Sequence, residues 1–260
     1  MKITSLLENT THRADMQTEH GLSLYIETER YNILFDMGQT DLFAKNAEVL
    51  GVDLAKVDFA VLSHGHYDHG GGLQTFLSLN DHAPVYLHRD AFLPHYNGTQ
   101  KYIGLNPALA EHPRLRFVGD VSRIAQGLTL YSCNERPRPH TFGSCGLTER
   151  VGDTFVDDDF RHEIYLLAEE GEKRILISGC SHKGILDIAA WFSPDVLVGG
   201  FHFSKFPLDD TLSDAAAVLG AYPTEFYTCH CTGEAQYALM KQQMSHLHYL
   251  ACDDSITITS

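Results

Sequence analysis

Along this chain the apolar residues fall in short alternating or continuous runs, the spacing of strands, separated by polar breaks. ITSLLEN, LSLYIET and YNILFDMG predict three strands near the start. The segment TDLFAKNAEVL instead puts Leu42, Phe43, Ala47 and Leu50 at helical spacing, and Gly51 supplies a stop. VDFAVL then predicts a short buried strand, GGGLQTFLSL the start of a helix and PVYLH a further strand. In the second half EIYLLAEE and KRILISG read as paired strands about the turn EEGEK, and DVLVGG and TEFYTC as strands. Helices are expected over 184–191, 212–219 and 235–244. Residues 89–125 are less regular, with an aromatic tone from Phe92, Tyr96 and Tyr102. GLTLYSC resumes strand character, and the Pro and Gly of RPRPHTFGSCG exclude a regular element over 136–146. A lid or insertion within 89–146 is expected, and an ordinary surface excursion fits the same residues. With no fixed repeat and no dividing linker, residues 1–260 are expected to form a single α/β domain.

Composition narrows the partners. The 260 residues are 43% hydrophobic, enough to bury a core. Lys and Arg number 19 against 34 Asp and Glu, a net charge of −15. That balance opposes sequence-independent nucleic-acid binding and docking on an anionic membrane. MKITSLLENT lacks the pattern of an export signal and no apolar run reaches membrane-spanning length, so the cytoplasm is the expected location. In that setting the six cysteines are expected as thiols rather than disulfides.

The 16 histidines change the picture, because they cluster. VLSHGHYDH, ILISGCSH, VLVGGFH and FYTCHC each run from apolar residues through small ones to histidine: His64, His66 and His69, then His182, His202 and His230. Ligands of layered α/β proteins gather at the carboxyl ends of strands. One such histidine is unremarkable; four strand ends delivering imidazole predict a shared metal site. Alternate residues of an extended segment point the same way, so His64 and His66 can reach one ion. After a turn, Asp68 and His69 can reach a second.

His64-Gly65-His66-Tyr67-Asp68-His69 resembles the signature of the metallo-β-lactamase fold superfamily. SHGHYDHGGGL, SGCSHKGI, GGFH and CHCTG, with HGLSLYIE, are similar to the subfamily labelled dihydropterin–ribofuranosylaminobenzene-phosphate synthase-like, from about Leu6 to Gly233. The resemblance implies a four-layer αββα sandwich with two metals at one edge. It assigns His64 and His66 to the first ion, and Asp68, His69 and a late histidine, matched by His230, to the second. The sequence departs from the usual pattern where a bridging Gly-Asp is expected. It has Gly179-Cys180-Ser181-His182 there. His182 is the expected third ligand of the first ion, with Cys180, His140 and His162 as alternatives.

His202 is expected to face the pocket, on substrate or as a proton carrier. Asp36 could hydrogen-bond a ligand histidine from behind. Glu8, Asn9 and His20 could line the site. Strand alternation would turn Cys229 and Cys231 away from it, and His246 and His248 have no partner pattern. The expected function is metal-dependent hydrolysis or phosphoryl-linked transfer on a small molecule, a phosphoester or pterin-type substrate, by a metal-activated hydroxide. Asp68 would be a ligand that also orients the nucleophile, and His202 or a lid tyrosine would steady developing charge. Two divalent ions are expected, zinc first, with manganese or iron compatible. The rival readings are a metal-containing sensor with little turnover and a one-metal enzyme.

Overall fold

The computed structural model describes residues 1–259. Two seven-stranded sheets form its middle. The first runs, edge to edge, Ser255–Thr257, Lys2–Leu7, Ser23–Glu27, Asn32–Phe35, Phe59–Val61, Val85–His88, Leu115–Val118. The second runs Leu247–Tyr249, Glu225–Thr228, Val196–Val198, Lys173–Ile177, Tyr165–Glu170, Leu128–Tyr131, Val121–Ala125. Each begins with antiparallel hairpins in sequence and ends in a parallel set: Asn32–Phe35 onward in the first, Lys173–Ile177 onward in the second.

Side-chain alternation splits the core into three layers. Ile33, Phe35 and Val61 of the first sheet meet Ile175, Ile177 and Val198 of the second between the sheets. The neighbours Leu34, Ala60 and Leu62 point the other way, onto helices Leu42–Leu50 and Leu73–Leu79. Leu176, Leu197 and Phe226 likewise cover helices Ile185–Phe192, Asp210–Gly220 and Glu234–Lys241. Strands apolar on both faces therefore give the four-layer αββα sandwich. The helix at Leu42–Leu50 ends on Gly51 at φ +72°, a left-handed stop that glycine takes without steric cost.

The expected helix from Gly70 is split: a single turn at Tyr67–Gly70 precedes Leu73–Leu79. The irregular central segment contributes two strands to a small third sheet, ordered Thr154–Asp157, Leu147–Val151, His95–Asn97, Lys101–Tyr102, whose other two strands lie beyond the expected limit at residue 146. Residues 136–146 hold no helix or strand. No helix among the described residues is long and apolar enough to cross a membrane.

The parallel strands of both sheets end at one edge, and Asp36, Ser63, Cys180, His202 and His230 lie just beyond their last residues. Asp36, Ser181, His202 and His230 have φ between +48° and +60°. Left-handed backbone at non-glycine residues is uncommon, and its recurrence at these strand ends marks chains turned sharply towards one point.

Candidate metal centre

Three sets of donor atoms converge at this edge. Those of His64, His66 and His182 lie within 4.8 Å of one another, as do those of His64, His69 and Cys180, and those of His20, Asp68 and His230. Except for the exposed His20, all these residues are buried. The closest approaches are His69 Nε2 to Cys180 Sγ at 3.1 Å, His69 Nε2 to His230 Nε2 at 3.2 Å, and His64 Nε2 to His182 Nε2 at 3.3 Å. Asp68 Oδ2 lies 3.4 Å from His230 Nε2 and 3.2 Å from His20 Nε2.

The residues behind the rings decide which nitrogens can bind. Asp36 is the hub. Its Oδ2 accepts from His69 Nδ1 at 2.6 Å and from the Ser63 hydroxyl at 2.7 Å, while Oδ1 accepts the Ser63 amide at 2.7 Å. With its hydrogen spent on Asp36, Ser63 Oγ accepts from His64 Nδ1 at 2.8 Å. His230 Nδ1 donates to Asn9 Oδ1 at 2.9 Å. In the neutral rings of His64, His69 and His230 the proton therefore sits on Nδ1 and Nε2 presents a lone pair. The His69–His230 contact then joins two acceptors with no hydrogen between them. Tetrahedral ligands about 2.0–2.1 Å from zinc stand about 3.3 Å apart, which is the spacing seen here. His66 Nε2 and His182 Nδ1 are buried without a hydrogen-bond partner, a state that costs about 1–3 kcal/mol per group. The donor set fits a divalent cation.

Electrostatics separates the rings. Burial, reinforced by the neighbouring imidazoles, holds His64 and His182 well below the ordinary imidazole range. Burial does the same to His66. These rings keep their lone pairs into mildly acidic solution. For His69 burial acts the same way, but the Asp36 carboxylate outweighs it and the pKa rises. Burial opposes charge on Asp68, yet a hydrogen bond from His20 Nε2, 3.2 Å away, outweighs it and holds its carboxyl well below the usual range. Burial raises the Cys180 thiol well above its ordinary value.

Backbone positions are clamped as tightly. Glu8 accepts the His230 amide at 2.6 Å, and Glu163 accepts the His182 amide at 2.7 Å. A Cβ on Gly179 would lie 2.2 Å from Ser63 Oγ, so the GCSH turn can close against the first motif only with glycine there. Glu163 also accepts from the Lys183 amide and the Tyr165 hydroxyl.

Of the expected site residues, His64, His66, Asp68, His69, His182 and His230 come together, and Cys180 joins them beside His69. His202 lines the adjoining cavity with its ring centroid 4.3 Å from that of His182. Burial first, then Lys205, lowers its pKa to about 4. His140 is exposed with its amide on Asp187, outside every cluster. His162 is buried nearby, yet its Nδ1 accepts from the Gly65 amide and its Nε2 faces Asp158. His246 packs on Phe226, and His248 pairs with Glu225, both away from the centre. Cys229 points into the layer between the sheets. Cys231 contradicts the alternation argument: it lines the cavity, its thiol 3.5 Å from Cys180 O. The strand ends at Thr228 and residues His230–Thr232 form a tight 3-10 turn, so alternation no longer applies there.

The cavity holds about 200 Å³. Tyr67, Asn97, Lys101, Ile103, Leu147 and Lys205 wall it opposite the histidines. Lys101 leans over the Tyr67 ring, its Nζ 5.2 Å from the centroid. Sequence pattern pointed to neither lysine, nor to Ser63, because nothing local distinguishes them from surface or strand-end residues.

The sequence and the fold both have known counterparts. A family model of the metallo-beta-lactamase superfamily matches residues 17–217. An uncharacterised protein of Methanocaldococcus jannaschii is 29% identical over 241 residues, covering 89% of this chain and 90% of its own. The 7,8-dihydropterin-6-methyl-4-(beta-D-ribofuranosyl)-aminobenzene-5'-phosphate synthase of the same organism is 27% identical over 280 aligned positions, covering 95% and 94%. The crystal structure of Tm1679, a metal-dependent hydrolase of the beta-lactamase superfamily, superposes over the whole of both chains with a TM-score of 0.85 at 28% identity. From the matched signature, the layered fold and the converging donors at its edge, the chain belongs to the metallo-β-lactamase superfamily.

Proposed function

We propose that the protein is a metal-dependent hydrolase of a small anionic molecule, a phosphoester in the first instance, working with two divalent ions. The observation that carries this reading is the meeting of imidazole lone pairs that have no hydrogen to share. His64, His66 and His182 would hold one ion, and Asp68, His69 and His230 the other. Cys180, within reach of His64 and His69, takes the place between the two sets. Nitrogen, carboxylate and thiol donors together suit zinc, with manganese or iron compatible. When bound, such a pair lowers the pKa of water and neutralises charge growing on an oxygen.

The chain's own residues supply the rest. Asp68, ionised beside the donors, orients a water by accepting its hydrogen bond. His202 is neutral near neutrality, given its value of about 4, so it suits donation to a developing oxyanion better than storage of a proton. Lys101 and Lys205 set two positive charges over the cavity of a chain whose net charge is −15, which favours an anionic substrate. The small sheet would serve as a lid, since Asn97, Lys101, Ile103 and Leu147 belong to it or its turns and wall the cavity.

The test combines metal content with turnover on phosphodiesters, phosphomonoesters, lactones and thioesters. The proposal expects two ions per chain and turnover that His66→Ala abolishes. Metal occupancy with no turnover above that of the variant would make the protein a sensor, and one ion per chain a one-metal enzyme. A second reading, phosphoryl-linked transfer, draws on the synthase named among the relatives. It predicts release of phosphate or pyrophosphate only when an amine-bearing acceptor is present.

A further inference from the structure

A second buried cluster lies beside the centre and shares only His66 with the proposed ligands. His66, His95, Asp158 and His162 bring three imidazoles and a carboxylate within 4.8 Å of one another. Such a set resembles a further cation site, but its protons are already committed. His162 Nδ1 accepts the Gly65 amide at 2.9 Å, so its Nε2 carries the hydrogen and donates it to Asp158 Oδ2 at 3.2 Å. His95 faces acceptors from both sides, the Asp90 carbonyl at 3.1 Å from Nε2 and Asp158 Oδ2 at 2.9 Å from Nδ1. Asp158 Oδ1 accepts the Phe160 amide at 2.8 Å. His162 has no lone pair left for a metal, and both nitrogens of His95 are turned to oxygen atoms of the protein.

The cluster touches the metal motif at two points. Gly65 stands between His64 and His66, and a Cβ on it would lie 2.2 Å from Ala91 O, so its backbone is wedged against the 3-10 turn Arg89–Phe92 on one side and held by His162 on the other. His66, whose Nε2 is buried without a partner, also places a ring nitrogen within 4.8 Å of the Asp158 carboxylate. His95 stands on the small-sheet strand His95–Asn97, and Asp158 directly follows the strand Thr154–Asp157 of that sheet.

We propose that Asp158 and His162 are positioning residues of the metal centre. They hold the Gly65 backbone and the His66 ring in the geometry of a ligand pair and tie both to the sheet that walls the cavity. The inference rests on His64 and His66 being ligands.

The test uses the full chain and zinc alone. Zinc affinity is measured by chelator competition for the parent, His66→Ala, Asp158→Asn, His162→Asn and His162→Leu. Cobalt-loaded samples are compared by visible absorption, and metal-free samples by thermal melting. The expected result is a loss of affinity of about 10–100-fold in Asp158→Asn, the usual cost of removing a group behind a ligand. The cobalt spectrum should change, and metal-free melting should stay near the parent's. His162→Asn keeps a carbonyl that can accept from Gly65, so it should lose less affinity than His162→Leu. Should Asp158→Asn fail to fold, the two His162 variants decide. Parental affinity and spectrum in the folded variants, or equal loss in Asn and Leu at position 162, would overturn the proposal. A parent that binds no zinc, or a His66→Ala variant that binds as the parent does, would instead overturn the assignment of the ligands.

Discussion

The two sets of donors at the sheet edge differ in what keeps them ready. His64, His66 and His182 are neutral rings whose burial drives their pKa values down. Asp68, His69 and His230 form a charged set: an ionised carboxylate, one ring with its pKa raised by Asp36 and one held by Asn9. The first set resists protons and relies on lone pairs alone; the second attracts cations through Asp68 but admits a proton more readily at His69, since burial lowers His230 as it does the first set. Similar ligands a few ångströms apart thus acquire different pH behaviour from the groups behind them, which metal-ligand identity alone would not reveal.

Asp36 is the place to break the distinction, since it supports both sets, His69 directly and His64 through Ser63. Asp36→Asn should weaken zinc binding by about 10–100-fold at both positions, whereas Ser63→Ala should affect chiefly the set containing His64. Zinc titrations with a chromophoric chelator resolve the two. A parental curve for Asp36→Asn would remove the hub from the account.

Acidification should sharpen the comparison. His69 has the raised pKa, so as pH falls its protonated form gains already above the ordinary imidazole value of 6.5, and a proton on Nε2 competes directly with a cation. His64, His66 and His182 have lowered values and stay unprotonated further down. Metal held by Asp68, His69 and His230 should therefore leave first. Counting ions per chain after dialysis across this range, with His182→Ala to mark the other site, tests the order; release first from the neutral set would refute it.

The smallest effect is expected at the cavity wall. Lys101 and Lys205 are exposed, and exposed charges contribute only about 0.2–1 kcal/mol each. Replacing either with alanine should raise KM for an anionic substrate a few-fold, leave kcat and metal content near the parent's, and lose its effect at high salt. An unchanged KM at low salt would remove these lysines from substrate binding.

How much of the centre was legible depended on distance along the chain. His64, His66, Asp68 and His69 occupy six positions, and their geometry follows from a strand end and one helical turn. The partner histidines could be found because each follows an apolar run. Their pairing could not, since the contacts of His64 with His182 and His69 with His230 span 118 and 161 residues. Asp36 was readable as a strand-end carboxylate, but its reach to His64 passes through Ser63, which has no pattern of its own. His162 stood as an alternative to His182, and only the Gly65 amide on its Nδ1 shows where that lone pair goes. Cys231 was misread because period-two alternation was carried past the end of its strand.

By itself the sequence determined the class of elements, the alternation that makes the sheets apolar on both faces, and the donor types gathered at strand ends. Those properties depend on backbone period and residue chemistry within a few positions. Tertiary structure alone decided which nitrogen of each ring carries the proton, which histidines meet one another at the sheet edge and which meet Asp158, and how burial divides the two donor sets. These depend on hydrogen-bond partners and dielectric surroundings that distant segments supply only after the sheets have packed.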